Sequence, residues 1–381
     1  MKNIGILGST GSVGTQSLQV IGNHKDKFNI KFLAANTNAD DLIMQCLKFD
    51  PEYVCIYDKS KYEYIKNNVK TKNILAGHEG LIELCKMSNI DIILNAIVGY
   101  QGLEPTLAII EAGTDIALSN KESIVQAGHI VTSLAKSHKV NIFPVDSEHS
   151  ALWQCIVGEN KNMIKKIILT ASGGPFRMLD KSKFSTITVE QALNHPNWNM
   201  GRKISIDSAT MMNKGFEMIE AYWLFNIQSH NIDIVIHPQS IIHSMVEFID
   251  GSIKAQLSTP DMRLPILYAL SYPDRYDINN LEFDLKRFST LELFKMDFNK
   301  FECVKLAYDA IKEGGSFPVV LNVANDLAVD LFLNKKIAFL DIPKLIRNAM
   351  DDHNSLNSPT LSDILSLTKW TENYMNNKYL T

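Results

Sequence analysis

The first fourteen residues constrain the fold more than any other stretch of the chain. An apolar strand, Asn3 to Leu7, runs directly into a turn with glycines at Gly8, Gly11 and Gly14, and a helical pattern follows. Glycines at this spacing let the backbone approach a pyrophosphate, and the N-terminus of the next helix offers unpaired N–H donors. A glycine motif alone is a weak signal, but between a strand and a helix it predicts a dinucleotide site rather than a bare tight turn.

Alternating strand and helix patterns extend this domain to residue 145. Strands are predicted at Asn3–Leu7, Asn29–Ala35, Tyr53–Tyr57, Asp91–Ile97, Asp115–Leu118 and Val140–Val145. Helices are predicted near Ser12–Ile21, Asp40–Phe49, Lys61–Asn68, Leu81–Met87, Gly102–Ala112 and Lys121–Lys136. Short apolar strands separated by helices predict an α/β fold that begins with a Rossmann-like, doubly wound parallel sheet.

The residues after the second predicted strand bear on the choice of cofactor. An NAD site usually has an acid there that binds the ribose 2′-hydroxyl, whereas this chain has Asn36, Thr37 and Asn38. The missing acid removes a repulsion against a 2′-phosphate and favours NADP, although no Lys or Arg at the same place strengthens that preference. Asp40 and Asp41 follow at positions where they would cap the next helix.

Polar residues also follow the last two predicted strands of the sheet. Asp146 and Glu148 would lie on one side of an extended segment, and two adjacent carboxylates repel unless a cation lies between them. Asn120, Lys121 and Glu122 follow the fifth predicted strand, where ligands bind in open α/β sheets. The same three residues are equally typical of a plain helix start with Asn120 as its N-cap.

The rest of the chain predicts a central α/β catalytic domain and a C-terminal helical domain. The central part contains a strand at Lys166–Thr170, a helix from Ala209 capped by Asp207 or Ser208, and a hairpin of Ile242–Phe248 with Ile253–Ser258. Later helices are predicted at Cys303–Glu313, Leu321–Leu333, Ile342–Met350 and Leu361–Tyr374. The predicted boundaries are 1–146 for the cofactor domain, 147–271 for the catalytic domain, 272–300 for a linker and 301–381 for the helical domain.

Two further groups in the central domain have alternative interpretations. Asn213 and Glu217 share one helical face, with Lys214 beside them, which by itself is typical of a solvated ion pair. The segment from Arg177 to Arg202 has little periodicity but contains Trp198 and Met200. A long irregular segment with such residues favours a flap, although the same side chains would also suit the core.

Composition excludes several classes of protein. The net charge of −4 gives no reason to expect nucleic acid or an anionic membrane as partner, and the chain has no apolar run of about 20 residues. Five scattered cysteines without metal-binding spacing predict free thiols in a reducing compartment. With a strand at the very start of the chain, these features predict a cytoplasmic protein without a signal peptide. The hairpin strands favour pairing across a two-fold axis and hence a homodimer.

Several long motifs resemble the 1-deoxy-D-xylulose 5-phosphate reductoisomerase family. They are Gly8–Gly14, Asn120–Ser123, Pro144–His149, Ser172–Phe176, His195–Ser205, Asp207–Gly215, His237–Ser240 and Pro260–Arg263. The resemblance covers essentially the whole chain. It implies a homodimer dependent on NADPH and on Mg²⁺ or Mn²⁺ that converts 1-deoxy-D-xylulose 5-phosphate to 2-C-methyl-D-erythritol 4-phosphate in the non-mevalonate isoprenoid pathway.

The resemblance also implies roles for individual residues. The metal ligands would be Asp146, Glu148 and Glu217, and the catalytic residues would be Lys121, Glu148 and His195. The substrate would be bound by Lys121, Ser147, Glu148, Ser172, His195, Trp198, Ser208, Asn213, Lys214 and Glu217. The cofactor would be bound by Gly8, Thr10, Gly11, Ser12, Val13, Gly14, Asn36, Thr37, Asn38, Asn120, Glu122, Met200 and Gly201. The chain departs from the family pattern at Asn36 and Thr37, where many members have Gly followed by Lys or Arg.

Two other functions remain open from the sequence. The first is an NADPH-dependent dehydrogenase that acts on another small phosphorylated or carboxylated carbonyl compound without rearrangement. Such an enzyme would need a nucleophilic cysteine or a general-acid pair, and Cys155 is the only thiol near the acidic motifs. The second is a non-catalytic, NADP-sensing scaffold, which the clustering of polar residues in the central domain disfavours.

Overall fold

The computed structural model describes residues 1–71, 73–195, 201–279, 281 and 284–379. The chain divides into two compact units. The first comprises Met1–Ser123, Val131–Ser150 and Asp261–Glu282, and the second comprises Ile124–Ile130, Ala151–Pro260 and Phe283–Thr381. The functional domains predicted from the sequence are not defined by compactness, and their boundaries stay a prediction.

The first unit contains a seven-stranded sheet in which every neighbouring pair is parallel, in the order β4-β3-β2-β1-β5-β6-β7. Its strands are β1 Lys2–Leu7, β2 Phe28–Ala35, β3 Tyr53–Ile56, β4 Asn73–Ala76, β5 Ile92–Asn95, β6 Asp115–Leu118 and β7 Ile142–Pro144. The predicted parallel sheet is confirmed. Only β4 was missed, because a four-residue edge strand without a fully buried residue has little apolar pattern to detect.

Helices connect these strands, and the apolar faces of several of them cover the sheet. They are α1 Ser12–Asn23, α2 Ala39–Phe49, α3 Tyr62–Asn68, α4 Gly77–Cys85, α5 Leu103–Glu111, α6 Lys121–His138 and α7 Ser147–Ile156. Residues of α6 and α7 fall in both units. Ile4 and Ile6 of β1 lie in one buried cluster with Leu18 and Ile21 of α1, so the first strand and helix are fixed to each other at the turn that joins them.

The second unit contains a five-stranded mixed sheet in the order β11-β10-β8-β9-β12. Its strands are β8 Ile164–Ala171, β9 Ile232–Ile236, β10 Ile242–Phe248, β11 Ile253–Leu257 and β12 Phe294–Lys295. Strands β8 and β9 are parallel, and β10 and β11 form the predicted antiparallel hairpin. Because β11 lies at the edge of the sheet, one side of its backbone has no strand partner within the described part of this unit.

The other helices complete both units. They are α8 Val189–Leu193, α9 Arg202–Thr210, α10 Met212–Phe225, α11 Arg263–Ser271, α12 Leu285–Phe288, α13 Glu302–Glu313, α14 Phe317–Leu333, α15 Asp341–Asp352 and α16 Leu361–Tyr379. Helix α11 belongs to the first unit, where it packs on α1. The four helices predicted near the C-terminus are confirmed as α13 to α16. No helix among the described residues combines the length and the apolarity that a membrane span requires.

One predicted helix start is wrong. Asp207 and Ser208 do not cap a helix that begins at Ala209, because both lie inside α9. Helices α9 and α10 are separated instead by Met211, whose left-handed φ of +63° breaks the run. Asp207 tolerates the helix interior because it is buried and paired: Asn325 Nδ2 donates to its Oδ1 at 2.8 Å. Tertiary contacts therefore override the capping preference of aspartate.

Candidate active site residues in the two units

The glycine turn of the first unit has the geometry of a pyrophosphate site. Gly8 has φ +78°, and a Cβ on it would lie 2.6 Å from the carbonyl oxygen of Ala96. A Cβ on Gly14 would lie 2.3 Å from the carbonyl oxygen of Gly8, so the turn closes only with glycine at both positions. Helix α1 begins at Ser12 without a side-chain cap or an acid in its first turn. Its first N–H groups are therefore suited to bind an anion, as a dinucleotide requires.

The segment after β2 contains the residues predicted to discriminate between cofactors. Asn36, Thr37 and Asn38 are all exposed. Asn38 is the N-cap of α2, because its Oδ1 accepts from the backbone N–H of Asp41 at 3.2 Å. The prediction that Asp40 or Asp41 caps this helix is therefore wrong by two or three positions. Both acids lie in the first turn instead, where the helix dipole favours them.

Asn120 is the N-cap of α6 and is almost fully buried. Its Oδ1 accepts from the N–H of Ser123 at 3.0 Å, and its Nδ2 donates to the carbonyl oxygens of Ile97 at 2.7 Å and Gly99 at 2.8 Å. Nδ2 also lies 3.2 Å from Oε2 of Glu122. These bonds show that the helix-start interpretation is correct for Asn120, and they fix the loop after β5 beside the start of α6.

Lys121 and Asp146 form a largely buried ion pair at the carboxyl ends of β6 and β7. Each side chain is 12% exposed, and Nζ of Lys121 lies 2.5 Å from Oδ2 of Asp146. The buried His149 places Nδ1 3.7 Å from Oδ1 of the same carboxylate. Burial by itself raises the pKa of Asp146, but the charge of Lys121 and the contacts of His149 outweigh it and hold that pKa well below its usual range. Asp146 is therefore ionised throughout the neutral range.

The extended segment predicted from Asp146 to Glu148 is wrong. Helix α7 begins at Ser147, and the N–H of Glu148 donates to Oδ1 of Asp146 at 3.4 Å, so Asp146 is in an N-cap position. The helix forms here because an aspartate before Ser and Glu is a strong helix-start signal. Ser147 Oγ donates to Oε2 of Glu148 at 2.6 Å. Turn geometry, not strand alternation, thus keeps Asp146, Ser147 and Glu148 together.

In the second unit, a glycine turn follows β8 and lies beside three predicted residues, Ser172, His195 and Ser208. Gly173 and Gly174 have φ of +83° and +64°, and a Cβ on Gly174 would lie 2.6 Å from the carbonyl oxygen of Ser208. Ser172 Oγ lies 3.1 Å from Nε2 of His195. Burial lowers the pKa of His195, and the charge of Arg177 lowers it further. The His195 ring is therefore neutral at pH 7, where it can accept a proton or donate a hydrogen bond.

Helix α10 presents a second buried ion pair. The side chains of Lys214 and Glu217 are 5% and 2% exposed, and Lys214 Nζ donates to Oε2 of Glu217. Asn213 Nδ2 donates to the other carboxylate oxygen at 2.5 Å. The solvated interpretation of these residues is wrong, because the whole group is buried or half-buried. The left-handed turn at Met211 allows this arrangement, since it starts α10 immediately before Asn213.

Two buried polar residues and one half-buried lysine were not predicted. His149 follows Asp146 by three residues, and Glu220 follows Glu217 by three residues on α10, where it is 1% exposed. Both spacings correspond to one helical face and were available from the sequence. Lys203 was also missed. Its Nζ lies 2.9 Å from both Asp207 Oδ2 and Asp326 Oδ1. The contact with Asp326 could not be predicted from spacing, because the two residues are far apart in the sequence.

The flap residues and the candidate thiol remain among the predicted residues. Trp198 and Met200, predicted on the flap, lie outside the described residues, while Gly201 is exposed at the start of α9. Cys155, the thiol that the dehydrogenase alternative would require, is buried on α7. Burial raises the pKa of the Cys155 thiol to about 11, so it is protonated and unreactive at neutral pH.

Three family models match successive parts of this chain. Residues 4–128 match the family model for 1-deoxy-D-xylulose 5-phosphate reductoisomerase, residues 142–225 match the model for its C-terminal domain, and residues 257–374 match a further DXP reductoisomerase C-terminal domain. The protein of that name from Chloroherpeton thalassium is 49% identical, over 99% of this chain and 98% of its own. The one from Thermoanaerobacter sp. is 50% identical over the full length of both.

Solved structures of reductoisomerases are also similar to this chain over nearly its whole length. The reductoisomerase from Zymomonas mobilis in complex with NADPH is 40% identical, with a TM-score of 0.92 and 97% of each chain covered. A reductoisomerase in complex with NADPH, fosmidomycin and magnesium is 39% identical, with a TM-score of 0.93 over 100% of this chain and 98% of that one. At this identity and coverage the predicted α/β fold is confirmed.

Proposed function

The chain belongs to the 1-deoxy-D-xylulose 5-phosphate reductoisomerase family, and on that premise we propose how its residues perform the family's reaction. The protein is an enzyme that converts 1-deoxy-D-xylulose 5-phosphate to 2-C-methyl-D-erythritol 4-phosphate and depends on NADPH and a divalent cation. The observation that carries this conclusion is the match over essentially the whole chain to reductoisomerases, two of which were crystallised with NADPH.

The metal ligands in this proposal are Asp146 and Glu148 from the first unit and Glu217 from the second. Carboxylate oxygens are the ligands that Mg²⁺ prefers, and Mn²⁺ accepts the same set. Each ligand group is prepared within its own unit: Asp146 stays ionised beside Lys121, and Glu217 is held between Asn213 and Lys214. Buried carboxylates with fixed orientation suit a cation better than mobile surface acids.

The cofactor site in this proposal is the glycine turn with the segment after β2. Gly8, Thr10, Gly11, Ser12, Val13 and Gly14 would bind the pyrophosphate, and Asn36, Thr37 and Asn38 would bind the adenosine ribose. Asn120 acts on this site mainly by holding the loop after β5, because its side chain is already hydrogen bonded. Glu122, Met200 and Gly201 complete the proposed set on the basis of the family resemblance.

The chemistry divides between bound groups and side chains. When bound, the cation polarises the substrate carbonyl and NADPH supplies the hydride for reduction. Lys214, Asn213, Ser172, Ser208 and His195 would hold the substrate phosphate, whose binding energy then orients the reacting carbons. Neutral His195 can donate a hydrogen bond to a phosphate oxygen while Ser172 fixes its ring.

The remaining proposed roles concern the sugar and the flap. Lys121 has its ammonium group beside Asp146, where it would donate to a substrate oxygen and stabilise developing negative charge. Ser147 and Glu148 lie in the first turn of α7 and would contact the same part of the substrate. Trp198 and Met200 would close over the bound substrate and exclude water, a role that rests on the resemblance alone.

The decisive assay is NADPH oxidation with 1-deoxy-D-xylulose 5-phosphate, with and without a chelator. We expect turnover to 2-C-methyl-D-erythritol 4-phosphate, complete loss with chelator, and recovery on addition of Mg²⁺ or Mn²⁺. A simple dehydrogenase would keep activity without metal and reduce a carbonyl compound without moving a carbon–carbon bond. Absence of substrate-dependent NADPH oxidation would refute the proposal.

We also propose a homodimer in the cytoplasm. The edge strand β11 exposes the side chains of Ile253 and Leu257, and an edge strand of this kind can pair with a second copy. All five cysteines are free and buried, which fits a reducing compartment. Light scattering after size exclusion should give twice the monomer mass, and Ile253→Lys should reduce it to that of the monomer.

A further inference from the structure

The proposed cofactor site lacks a cation at the position where an NADP site usually has one. NADPH differs from NADH by a 2′-phosphate, which binding sites recognise with a positively charged side chain near the end of the second strand. Asn36, Thr37 and Asn38 offer only neutral donors there, and the acids Asp40 and Asp41 follow directly. Neutral donors bind a phosphate more weakly than a charged group does, so a positive charge on a neighbouring element would strengthen the recognition of NADPH.

The neighbouring element is the turn after β3. Strands β2 and β3 are parallel with Ala35 opposite Ile56, and the pairing continues past the ends of both strands. The N–H of Tyr57 donates to the carbonyl of Ala35, and the N–H of Asp58 donates to the carbonyl of Asn36, both at 2.9 Å. Adjacent strands are about 4.8 Å apart, so the residues after Asp58 emerge beside Thr37.

Two lysines follow Asp58, and the structure distinguishes them. Lys59 and Lys61 lie in a short 3-10 helix that leads into α3, capped by Asp58. Lys59 is directed toward β4 and α4: its Nζ lies 3.0 Å from Glu79 Oε2, and its Cε lies 2.1 Å from where a Cβ on Gly77 would be. The order β4-β3-β2 puts that contact on the side away from Thr37.

Lys61 is the last residue of this 3-10 helix. It immediately precedes α3 with helical backbone angles, and three residues later Tyr64 donates its hydroxyl to Asp40 Oδ1 at 2.8 Å. Residues three apart on a helix share one face, so Lys61 lies on the face of α3 that meets the start of α2. The Asp58–Asn36 bond and the Tyr64–Asp40 bond therefore join the turn that contains the exposed Lys61 to the segment that contains Thr37.

We propose that Lys61 supplies the positive charge that recognises the 2′-phosphate of NADPH in this enzyme. The inference rests on the proposed function and identifies the residue behind its cofactor preference. The ammonium group stands on a flexible four-carbon stem that can cross one strand spacing. Together with neutral donors from Asn36 and Thr37, it would form a phosphate subsite built from two loops.

The surrounding charges explain why this lysine matters. Asp58, Asp40 and Asp41 face the same turn, and their carboxylates are engaged by Ser60, Tyr64 and Asn38 respectively. These bonds do not neutralise the carboxylates. Without Lys61 the 2′-phosphate would depend on neutral donors beside these carboxylates, and NADPH would lose much of its advantage over NADH.

The test compares Lys61→Ala with Lys59→Ala, a matched control two residues away on the same exposed turn. Dissociation constants for NADPH, NADH and adenosine 2′,5′-bisphosphate are measured by calorimetry on the full chain without substrate. We expect Lys61→Ala to weaken NADPH and the bisphosphate about fivefold, with NADH unchanged, because a solvated charge contact contributes on that order. Lys59→Ala should change none of the three. The difference should shrink in high salt.

Three outcomes would overturn the inference, and they differ in what else they affect. If Lys61→Ala binds NADPH as tightly as the wild type, Lys61 is not the recognition residue, although the proposed function stands. If Lys59→Ala and Lys61→Ala weaken NADPH equally, the effect is diffuse surface charge. If the wild type binds NADPH no more tightly than NADH, the cofactor assignment fails together with the inference.

Discussion

Among the described residues, each unit of the protein contains a lysine–carboxylate pair with both side chains buried or nearly so, and these two pairs are built differently. Lys214 and Glu217 are three residues apart on α10, whereas Lys121 and Asp146 are 25 residues apart at the ends of neighbouring strands. The Lys214–Glu217 pair is almost fully buried, with side chains 5% and 2% exposed, whereas Lys121 and Asp146 are each 12% exposed. Sequence spacing reveals only the first pair, and it does not reveal that the pair is buried.

Burial decides what each pair contributes. An exposed pair such as Glu302 with Arg347 is screened by solvent and contributes little to stability. Removal of one partner from a buried pair leaves a charge without compensation and costs about 3–5 kcal/mol. Both buried pairs include a proposed metal ligand and a lysine with a proposed role toward substrate. Changes at either pair should therefore affect stability and catalysis together, and most strongly in the more deeply buried one.

The largest effect is expected from Glu217→Gln. The change keeps the shape but removes the charge that balances Lys214 and, in the proposed site, the cation. We expect kcat/KM to fall at least about 100-fold, with partial recovery at high Mg²⁺, and the free energy of unfolding to fall by about 3 kcal/mol. The control Glu302→Gln should change neither quantity. Normal turnover and metal affinity in Glu217→Gln would contradict the metal assignment.

Lys121→Met tests the more exposed pair, Lys121 with Asp146, through unfolding at low pH. A lowered pKa means that Asp146 stabilises the fold above its unfolded pKa of about 3.9, and that this stability is lost as the pH falls through the lower folded value. Burial raises the pKa of Asp146 and the charge of Lys121 lowers it, so the folded pKa of Asp146 should rise when Lys121 is removed. For every pH unit by which the folded pKa of Asp146 rises, the free energy of unfolding at pH 7 falls by about 1.4 kcal/mol.

The measurement for Lys121→Met is the pH midpoint of acid unfolding, which we expect to move to higher pH. The control Lys166→Met removes a surface lysine that pairs with Asp233 and should leave the midpoint unchanged. An equal shift in both variants would mean that net charge, and not the Lys121–Asp146 pair, sets acid stability.

Thr37→Lys places a lysine at an exposed position, in contrast to the two buried pairs. Only NADPH carries the 2′-phosphate that the new charge would meet, so kcat/KM should rise about fivefold for NADPH and not for NADH. The gain corresponds to about 1 kcal/mol for a solvated contact. The gain should be larger in a Lys61→Ala background. Equal gains for both cofactors would show that position 37 does not face the 2′-phosphate.

The smallest effect is expected from Arg177→Gln beside His195. Burial is the larger cause of the lowered His195 pKa, and the charge of Arg177 is the second. Loss of that charge should raise the pKa of His195 toward the usual value near 6.5. His195 stabilises the fold above pH 6.5 and loses that contribution as the pH falls through its folded pKa. Because the folded pKa is closer to 6.5 in the variant, its free energy of unfolding should fall less over this pH range than that of the wild type. Proton NMR of the His195 ring, compared with that of the surface residue His230, gives the pKa directly.

Much of this protein was determined by local sequence. The glycines at Gly8 and Gly14 dictate a turn that no other residue fits, and short apolar strands separated by helices dictate a parallel sheet. Local patterns were sufficient there because backbone sterics and apolar periodicity act over a few residues. The family motifs likewise identified the candidate site residues without any knowledge of their surroundings.

The tertiary structure decided the properties that depend on neighbours distant in sequence. Capping preference misplaced a helix start at Asp207, because the burial of that carboxylate beside Asn325 and Lys203 outweighs it. Spacing could not tell a solvated Lys214–Glu217 pair from a buried one, since exposure depends on what packs over the helix. The proposed role of Lys61 beside Thr37 rests on the pairing of β2 with β3, which the order of residues in the chain does not reveal. Electrostatic environment is set by all nearby groups, and the chain order does not record which groups those are.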